Sequence, residues 1–115
     1  MSGLTTHILD LAAGRPAAGV IVRVSARRGD DVNLIAETRT DADGRARLIE
    51  GAALAVGGYR LAFSVADYFK TSGAVVSDPP FLDVVVIDFA LADPGQHHHV
   101  PLLVSPFGYS TYRGS

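Results

Sequence analysis

Turn-forming residues interrupt this chain at short, regular intervals, and this spacing constrains the fold more than any other feature. The 115 residues include 12 glycines and 6 prolines, which are spread along the chain rather than pooled. Breaks at 13–16, 28–31, 40–44 and 93–95 belong to a series that recurs roughly every 8–12 residues, a spacing typical of an antiparallel sandwich. The length fits one domain, so we expect residues 1–115 to form a single domain.

Between these breaks, the side chains follow the pattern of β-strands. Val20, Val22 and Val24 alternate with other residues, and this period of two places the three valines on one face. The same alternation and several β-branched runs predict further strands at 34–39, 45–49, 59–65, 81–91, 96–104 and 109–115. Residues 66–72 fit either one short helix or a loop. The sequence therefore predicts an all-β fold, a two-sheet antiparallel β-sandwich of about eight strands with at most one short helix.

Charge and composition exclude several classes of function. Lys and Arg total 10 and Asp and Glu total 12, whereas nucleic-acid and membrane-surface binders favour a basic excess. Cysteine is absent, which excludes disulfides, thiolate metal sites and cysteine nucleophiles. The first residues lack the basic and apolar regions of a signal peptide, and no apolar run approaches the roughly 18 residues of a spanning helix. We therefore expect a cytoplasmic protein with no nucleic-acid or membrane partner.

The histidines are the first candidates for chemistry. The chain has His7 and the consecutive His97, His98 and His99. On a strand, His97 and His99 point to one face and His98 points to the other. Together with His7, the pair would suit a zinc ion, which three histidines can hold. The same rings would equally suit metal-free acid–base catalysis, because imidazole titrates near neutrality. A partly buried histidine without any catalytic role is also common, so the residue types leave all three readings open.

Arg45 and the C-terminal segment are the other candidates. Arg45 follows the turn at 40–44, where it is either a solvated charge or a group that stabilises an anionic substrate or an oxyanion. The segment 109–115 combines two tyrosines, an arginine and several hydroxyl groups. The ends of chains are often frayed, but this composition equally favours an interface or a functional role.

Four segments together resemble the transthyretin-like 5-hydroxyisourate hydrolases of purine catabolism. They are Leu4-Thr5-Thr6-His7-Ile8-Leu9-Asp10, Thr40-Asp41-Ala42-Asp43-Gly44-Arg45, His97-His98-His99-Val100-Pro101-Leu102-Leu103 and Tyr109-Ser110-Thr111-Tyr112-Arg113-Gly114-Ser115. The resemblance spans essentially the whole chain. The Tyr-Arg-Gly-Ser ending is the signature of that family and separates the hydrolases from the hormone carrier transthyretin.

The resemblance implies a fold, an assembly and a reaction. The fold would be a two-sheet sandwich of eight strands with one short helix after the fifth strand. Four subunits would form a homotetramer with twofold symmetry, and the active sites would lie in the channel between dimers. The small-molecule substrate would be 5-hydroxyisourate, which is hydrolysed to 2-oxo-4-hydroxy-4-carboxy-5-ureidoimidazoline without a metal or an organic cofactor.

The resemblance also implies roles for individual residues. It places the catalytic groups at His7, Arg45 and His99, with His97 beside them as a supporting residue. The residues that would contact the substrate are Tyr112, Arg113, Gly114 and Ser115. The family more often has an aromatic residue where this chain has His98, so we expect no catalytic role for that histidine.

Three alternatives belong to other classes. The first is a transthyretin-like carrier that binds small aromatic ligands without catalysis. The second is a zinc hydrolase built on His7, His97 and His99, which loss of turnover with a chelator would favour. The third is a structural sandwich module without a site, which leaves the clustered histidines and the polar, aromatic C-terminus unexplained.

Overall fold

The computed structural model describes residues 3–114, which form two β-sheets and one short helix. In chain order the elements are β1 (Gly3–Asp10), β2 (Arg15–Pro16), β3 (Ile21–Arg28), β4 (Asp31–Arg39), β5 (Arg45–Glu50), a 3-10 turn (Gly51–Ala53), β6 (Gly57–Phe63), α1 (Val65–Ser72), β7 (Val85–Leu91), β8 (His97–His99), β9 (Leu102–Ser105) and β10 (Gly108–Thr111).

β1 is the central strand of the first sheet. Along its first half, Thr5 is flanked by Arg47 of β5 on one side and by His99 of β8 on the other. Along its second half, Leu9 is flanked by Pro16 of β2 and Leu103 of β9. β10 pairs with β9 and forms an edge of this sheet. The second sheet has the order β4-β3-β6-β7 and is antiparallel throughout.

The prediction of an all-β sandwich is confirmed, but antiparallel pairing throughout is wrong for two strands. β8 and β9 run parallel to β1. The sequence pattern could not show this, because side chains alternate between faces in the same way in parallel and antiparallel strands. The helix is present over Val65–Ser72 and ends at Gly73, whose φ of 85° is left-handed. The two-residue β2 adds one strand to the number expected before the helix, so the helix follows the sixth strand rather than the fifth.

Three of the predicted strands are shorter or divided. The predicted strand 109–115 corresponds to β10, which ends at Thr111. The run 81–91 contributes only β7, because Phe81 lies after two prolines in an irregular segment and its side chain is 69% exposed. The run 96–104 is divided into β8 and β9 at Pro101. Proline has no N–H to donate to a strand partner, which favours a break there. This division and the short β2 account for ten described strands instead of about eight.

The core lies between the two sheets. Val20, Val22 and Val24 are at most 1% exposed, which confirms the face that alternation predicts. Leu4 and Ile8 of β1 are fully buried in the same core. Because side chains alternate along β1, Thr5 and His7 project from the opposite face of the sheet. None of the helices in residues 3–114 has the length and apolar character that a membrane crossing requires.

Candidate active site

The outer face of β1 carries the first polar groups of the site. Thr5 and His7 are half-buried, whereas their neighbours Leu4, Thr6 and Ile8 face the core. The core packing of the apolar residues therefore fixes the direction in which the hydroxyl and the imidazole project.

β8 brings two further imidazoles beside β1. His97 and His99 are half-buried on the outer side, and His98 between them is only 6% exposed on the inner side. The Thr5 hydroxyl lies 3.1 Å from Nε2 of His97 and 2.8 Å from Nδ1 of His99. Parallel pairing of β8 with β1 thus places both outer imidazoles against one side chain of β1.

Arg45 enters the site through the turn that precedes β5. Asp41 organises this turn, since its Oδ1 accepts hydrogen bonds from the N–H groups of Asp43 at 2.9 Å and Arg45 at 3.0 Å. The Gly44 carbonyl accepts a hydrogen bond from Ile8 N–H at 2.8 Å, which ties the turn to β1. In the resulting register Arg45 lies directly opposite His7.

The surroundings of His99 favour its neutral form. Burial lowers the pKa of the His99 imidazole below its ordinary value of 6.5, and His7, His97 and the Arg45 guanidinium lower this pKa further by electrostatic repulsion of an added proton. A neutral imidazole at physiological pH can accept a proton from water.

Thr5, Arg45, His97 and His99 line a groove with a volume of about 500 Å³, whereas His7 lies opposite Arg45 but is not part of this lining. Its polar lining includes Thr5, Arg45, Arg47, Glu50, His97 and His99. The groove therefore combines proton acceptors with guanidinium groups, which is the chemistry needed to activate water and to stabilise an oxyanion.

The C-terminal residues lie at different places. Gly114 N–H donates a hydrogen bond to the His99 carbonyl at 2.6 Å, so Gly114 adjoins the site. Arg113 instead donates to Oε1 of Gln96 at 2.8 Å, beside a second groove that also contains His98. Tyr112 is 60% exposed. Ser115 lies outside the described residues. Within one chain, the structure thus brings Gly114 to His99 and directs Arg113 elsewhere.

A metal centre is not preformed in the described part of the chain. Among residues 3–114, no three His, Cys, Asp or Glu side chains are arranged to hold a metal ion. Nδ1 of His98 lies 3.0 Å from the Gln96 carbonyl on the inner side of β8, away from the other two histidines of that strand. The triple-histidine run is therefore divided between two faces.

No sequence motif singles out Thr5 or Arg47, although both lie in the groove. Thr5 has the same strand parity as His7, and Arg47 has the same parity as Arg45, so alternation was the signal that could have identified them. A threonine or an arginine on a strand is otherwise too common to single out.

Comparisons with known proteins find relatives that match this chain over its full length. The sequence model described as the HIUase/Transthyretin family matches residues 4–114. A 5-hydroxyisourate hydrolase of Caulobacter vibrioides is 72% identical over 115 residues, which cover 100% of both chains. A solved structure of the Klebsiella pneumoniae 5-hydroxyisourate hydrolase is 37% identical with a TM-score of 0.82, and the match covers 100% of both chains.

A crystal structure of an (S)-allantoin synthase is also similar, with 38% identity and a TM-score of 0.90. The match covers 98% of this chain but only 43% of the synthase chain. The chain thus corresponds to less than half of that protein. The family match over 4–114 and the full-length identity to the Caulobacter protein establish that this chain belongs to the HIUase/Transthyretin family.

Proposed function

We propose that this chain is a hydrolase of 5-hydroxyisourate in urate catabolism, with 2-oxo-4-hydroxy-4-carboxy-5-ureidoimidazoline as the product. The observation that supports the proposal is that Arg45 and His99, which are distant in sequence, line one groove, and that His7 lies opposite Arg45 on the neighbouring strand. The names of the Caulobacter and Klebsiella relatives support the substrate. We further propose that residues 1–115 act as one domain in the cytoplasm.

The reaction requires water to attack a carbonyl carbon of the substrate ring. His99 accepts a proton from this water, because its lowered pKa keeps the ring neutral. The water oxygen then bonds to the carbonyl carbon, the ring C–N bond breaks, and the imidazolium returns its proton to the leaving nitrogen. His7, which lies opposite Arg45 on the neighbouring strand, helps to hold the water.

Arg45 stabilises the negative charge that develops on the carbonyl oxygen. Its backbone is fixed by Asp41 through the turn before β5, so its position is set before the substrate binds. An interaction that strengthens in the transition state raises the rate more than one that binds the substrate equally well. The mechanism uses neither a metal nor an organic cofactor, and dialysis against a chelator is expected to leave turnover unchanged.

We propose that four copies form a homotetramer, as the family resemblance implies. The groove is open on the outer face of the first sheet, and a second copy facing it would close it. In such an assembly, the terminal tetrapeptide of each subunit lines the site of that subunit or of a neighbouring subunit. These terminal residues are Tyr112, Arg113, Gly114 and Ser115. The contact of Gly114 with His99 supports this placement.

A direct assay tests the proposed function. 5-Hydroxyisourate is generated freshly from urate, and its loss is followed by ultraviolet absorbance with and without the protein. Acceleration by catalytic amounts of protein is expected. Binding of the substrate without acceleration would indicate a carrier, and acceleration that a chelator abolishes would indicate a zinc enzyme.

A further inference from the structure

The Thr5 hydroxyl joins two imidazoles of the groove. Its Oγ1 lies 3.1 Å from Nε2 of His97 and 2.8 Å from Nδ1 of His99. A hydroxyl has one proton to donate and two lone pairs that accept. Between two neutral imidazoles, it donates to the bare nitrogen of one ring and accepts the N–H of the other. The two rings therefore cannot take up their tautomers independently.

One of the two possible arrangements suits a base at His99, and the other does not. When Nδ1 of His99 donates to Thr5, Nε2 of that ring carries a free lone pair and can accept a proton. Thr5 then donates its own proton to Nε2 of His97. In the reverse arrangement the proton of the His99 ring sits on Nε2, and the ring cannot act as a base there.

We infer that Thr5 is a positioning residue, which holds His99 in the tautomer with a free lone pair on Nε2 and uses His97 to receive its own proton. The kinetic consequence rests on the proposed hydrolase function, whereas the tautomer itself does not. In this arrangement His97 accepts the proton of the Thr5 hydroxyl and so completes the hydrogen bonding of Thr5.

Strand pairing on both sides keeps this contact in place. Thr5 lies opposite His99 on β8 and opposite Arg47 on β5, so its backbone is held from two directions. Its β-branched side chain is restricted at χ1, which limits the directions available to the hydroxyl. Thr5 is therefore a more rigid link than an ordered water molecule would be.

The surroundings of the groove favour a neutral imidazole at His99. His7 projects from β1, and Arg45 and Arg47 project from β5. The guanidinium of Arg45 disfavours an added proton on His99, as burial also does. The carboxylate side chains that line the same groove are Asp41 and Glu50, and neither forms an ion pair with His97 or His99 among the described residues.

Two substitutions of Thr5 separate the hydroxyl from the shape of the side chain. Thr5→Val keeps the branched shape and the strand preference but removes the hydroxyl, whereas Thr5→Ser keeps the hydroxyl. Thr38→Val makes the same chemical change on β4 of the other sheet and is the matched control. For Thr5→Val we expect kcat to fall at least about tenfold with KM within about twofold, because the base is lost rather than binding. Thr5→Ser and Thr38→Val are expected to remain within about threefold of the unchanged chain.

Nitrogen NMR of the histidine rings provides a readout that does not depend on activity. In the unchanged chain, the His99 proton is expected on Nδ1, and in Thr5→Val it is expected mainly on Nε2, with the Nδ1–H tautomer reduced to a minor species. In Thr5→Val the acid limb of the pH–kcat profile should differ from that of the unchanged chain, because the hydroxyl that sets the tautomer is missing. In Thr5→Ser the hydroxyl is present, so the acid limb should match that of the unchanged chain.

Several results would overturn the inference. One is a His99 ring in the unchanged chain that carries its proton on Nε2, which needs no variant to fold. Another is equal kcat for Thr5→Val and the unchanged chain, and a third is equal loss in Thr5→Ser and Thr5→Val, which would indicate a purely structural role. Failure of the unchanged chain to accelerate 5-hydroxyisourate decay would instead contradict the proposed function, while the NMR result would still decide the tautomer.

Discussion

Among single residues, His99 shows most clearly how its surroundings select a chemical role. Its neighbours on β8 have the same side chain, but His98 faces the core and His99 borders the groove. Burial and nearby positive charge lower the pKa of His99. If His99 is the base that we propose, it must be unprotonated to act, so we expect activity above this pKa and its loss as the pH falls through it.

The pH profile gives the first prediction. The acid midpoint of kcat/KM is expected below 6.5, the ordinary value for histidine. Arg45→Gln removes a positive charge that disfavours the protonated ring, so the midpoint should move to higher pH. The plateau should also fall by about 10²–10³-fold, because an oxyanion donor is lost.

Arg23→Gln is the matched control for this prediction. Arg23 lies on β3 of the other sheet and pairs with Glu37 at 2.7 Å on the surface, where an ion pair contributes little. Its profile should match that of the unchanged chain. An Arg45→Gln midpoint that stays in place would show that the guanidinium does not act on His99.

Among the elements, the C-terminal segment 108–114, which comprises β10 and the residues after it, contacts the site at Gly114. A Cβ built at this position lies 3.0 Å from Cδ2 and 3.3 Å from Cβ of His99. Gly114→Ala should therefore displace the terminus from the imidazole and lower kcat/KM by at least about tenfold, since small misplacements near the reacting groups are costly. Thermal unfolding should change little, because the position is at the end of the chain.

Gly108→Ala is the control on the same segment, since a Cβ there meets nothing within 4 Å. Kinetic constants equal to those of the unchanged chain are expected for it. Equal kinetics for Gly114→Ala would mean that the terminus has no part in the reaction.

The turn before β5 gives a prediction on stability. Gly44 has a φ of +75°, and a Cβ there would lie 2.5 Å from the Ile8 carbonyl oxygen. Gly19 has a similar φ of +77° but no atom within 4 Å of such a Cβ. Both changes to alanine incur a left-handed backbone cost of about 1–2 kcal/mol. Gly44→Ala should cost at least about 1 kcal/mol more than Gly19→Ala, because it also forces backbone apart.

Urea unfolding of both variants at one protein concentration measures this difference. Equal losses would show that the turn can move away from β1. Because this turn carries Arg45, a larger loss for Gly44→Ala would also connect the stability of the sheet to the placement of the guanidinium.

The sequence predicts the faces of the strands better than it predicts the composition of the site. Alternation identified the valine face of β3 and the shared face of His97 and His99, because burial imposes a period of two on any strand. It could not give strand direction, which depends on how the chain crosses between sheets. Pro101 lacks an N–H and therefore favours a break, but the apolar residues on both sides of it are equally typical of one continuous strand.

The remaining parts of the site depend on partners that are distant in sequence. Thr5 is notable only because β8 carries two imidazoles beside it. Arg113 was expected at the site from its place in the terminal tetrapeptide, yet its hydrogen bond goes to Gln96. Neither contact follows from local pattern, since each is set by which strands become neighbours.

At the scale of the whole molecule, the unpaired edges of the sheets bear on assembly. β7 forms one edge of the second sheet, and its Val86 is 45% exposed. β10 forms an edge of the first sheet, with Tyr109 also 45% exposed. Exposed edges with apolar side chains favour pairing with another chain. This arrangement supports the proposed homotetramer.

Sedimentation equilibrium tests this assembly. The unchanged chain is expected to have the mass of four copies, and Val86→Lys should give smaller species, since a charge on an edge strand opposes pairing. Val75→Lys is the control, because Val75 is 87% exposed in the segment between α1 and β7. A monomeric unchanged chain that is fully active would contradict the assembly while leaving the catalytic groups in place.

His7, His99 and Arg45 are proposed to act as one catalytic unit. The most direct measurement is kcat/KM for 5-hydroxyisourate in His7→Asn, His99→Asn and the double variant. Each single change should lower kcat/KM by at least about 10²-fold, and the double change should cost far less than the product of the two losses, because groups that act as a unit are not additive. Losses that simply multiply would show that the two histidines act independently. Single variants as active as the unchanged chain would show that neither histidine takes part in catalysis.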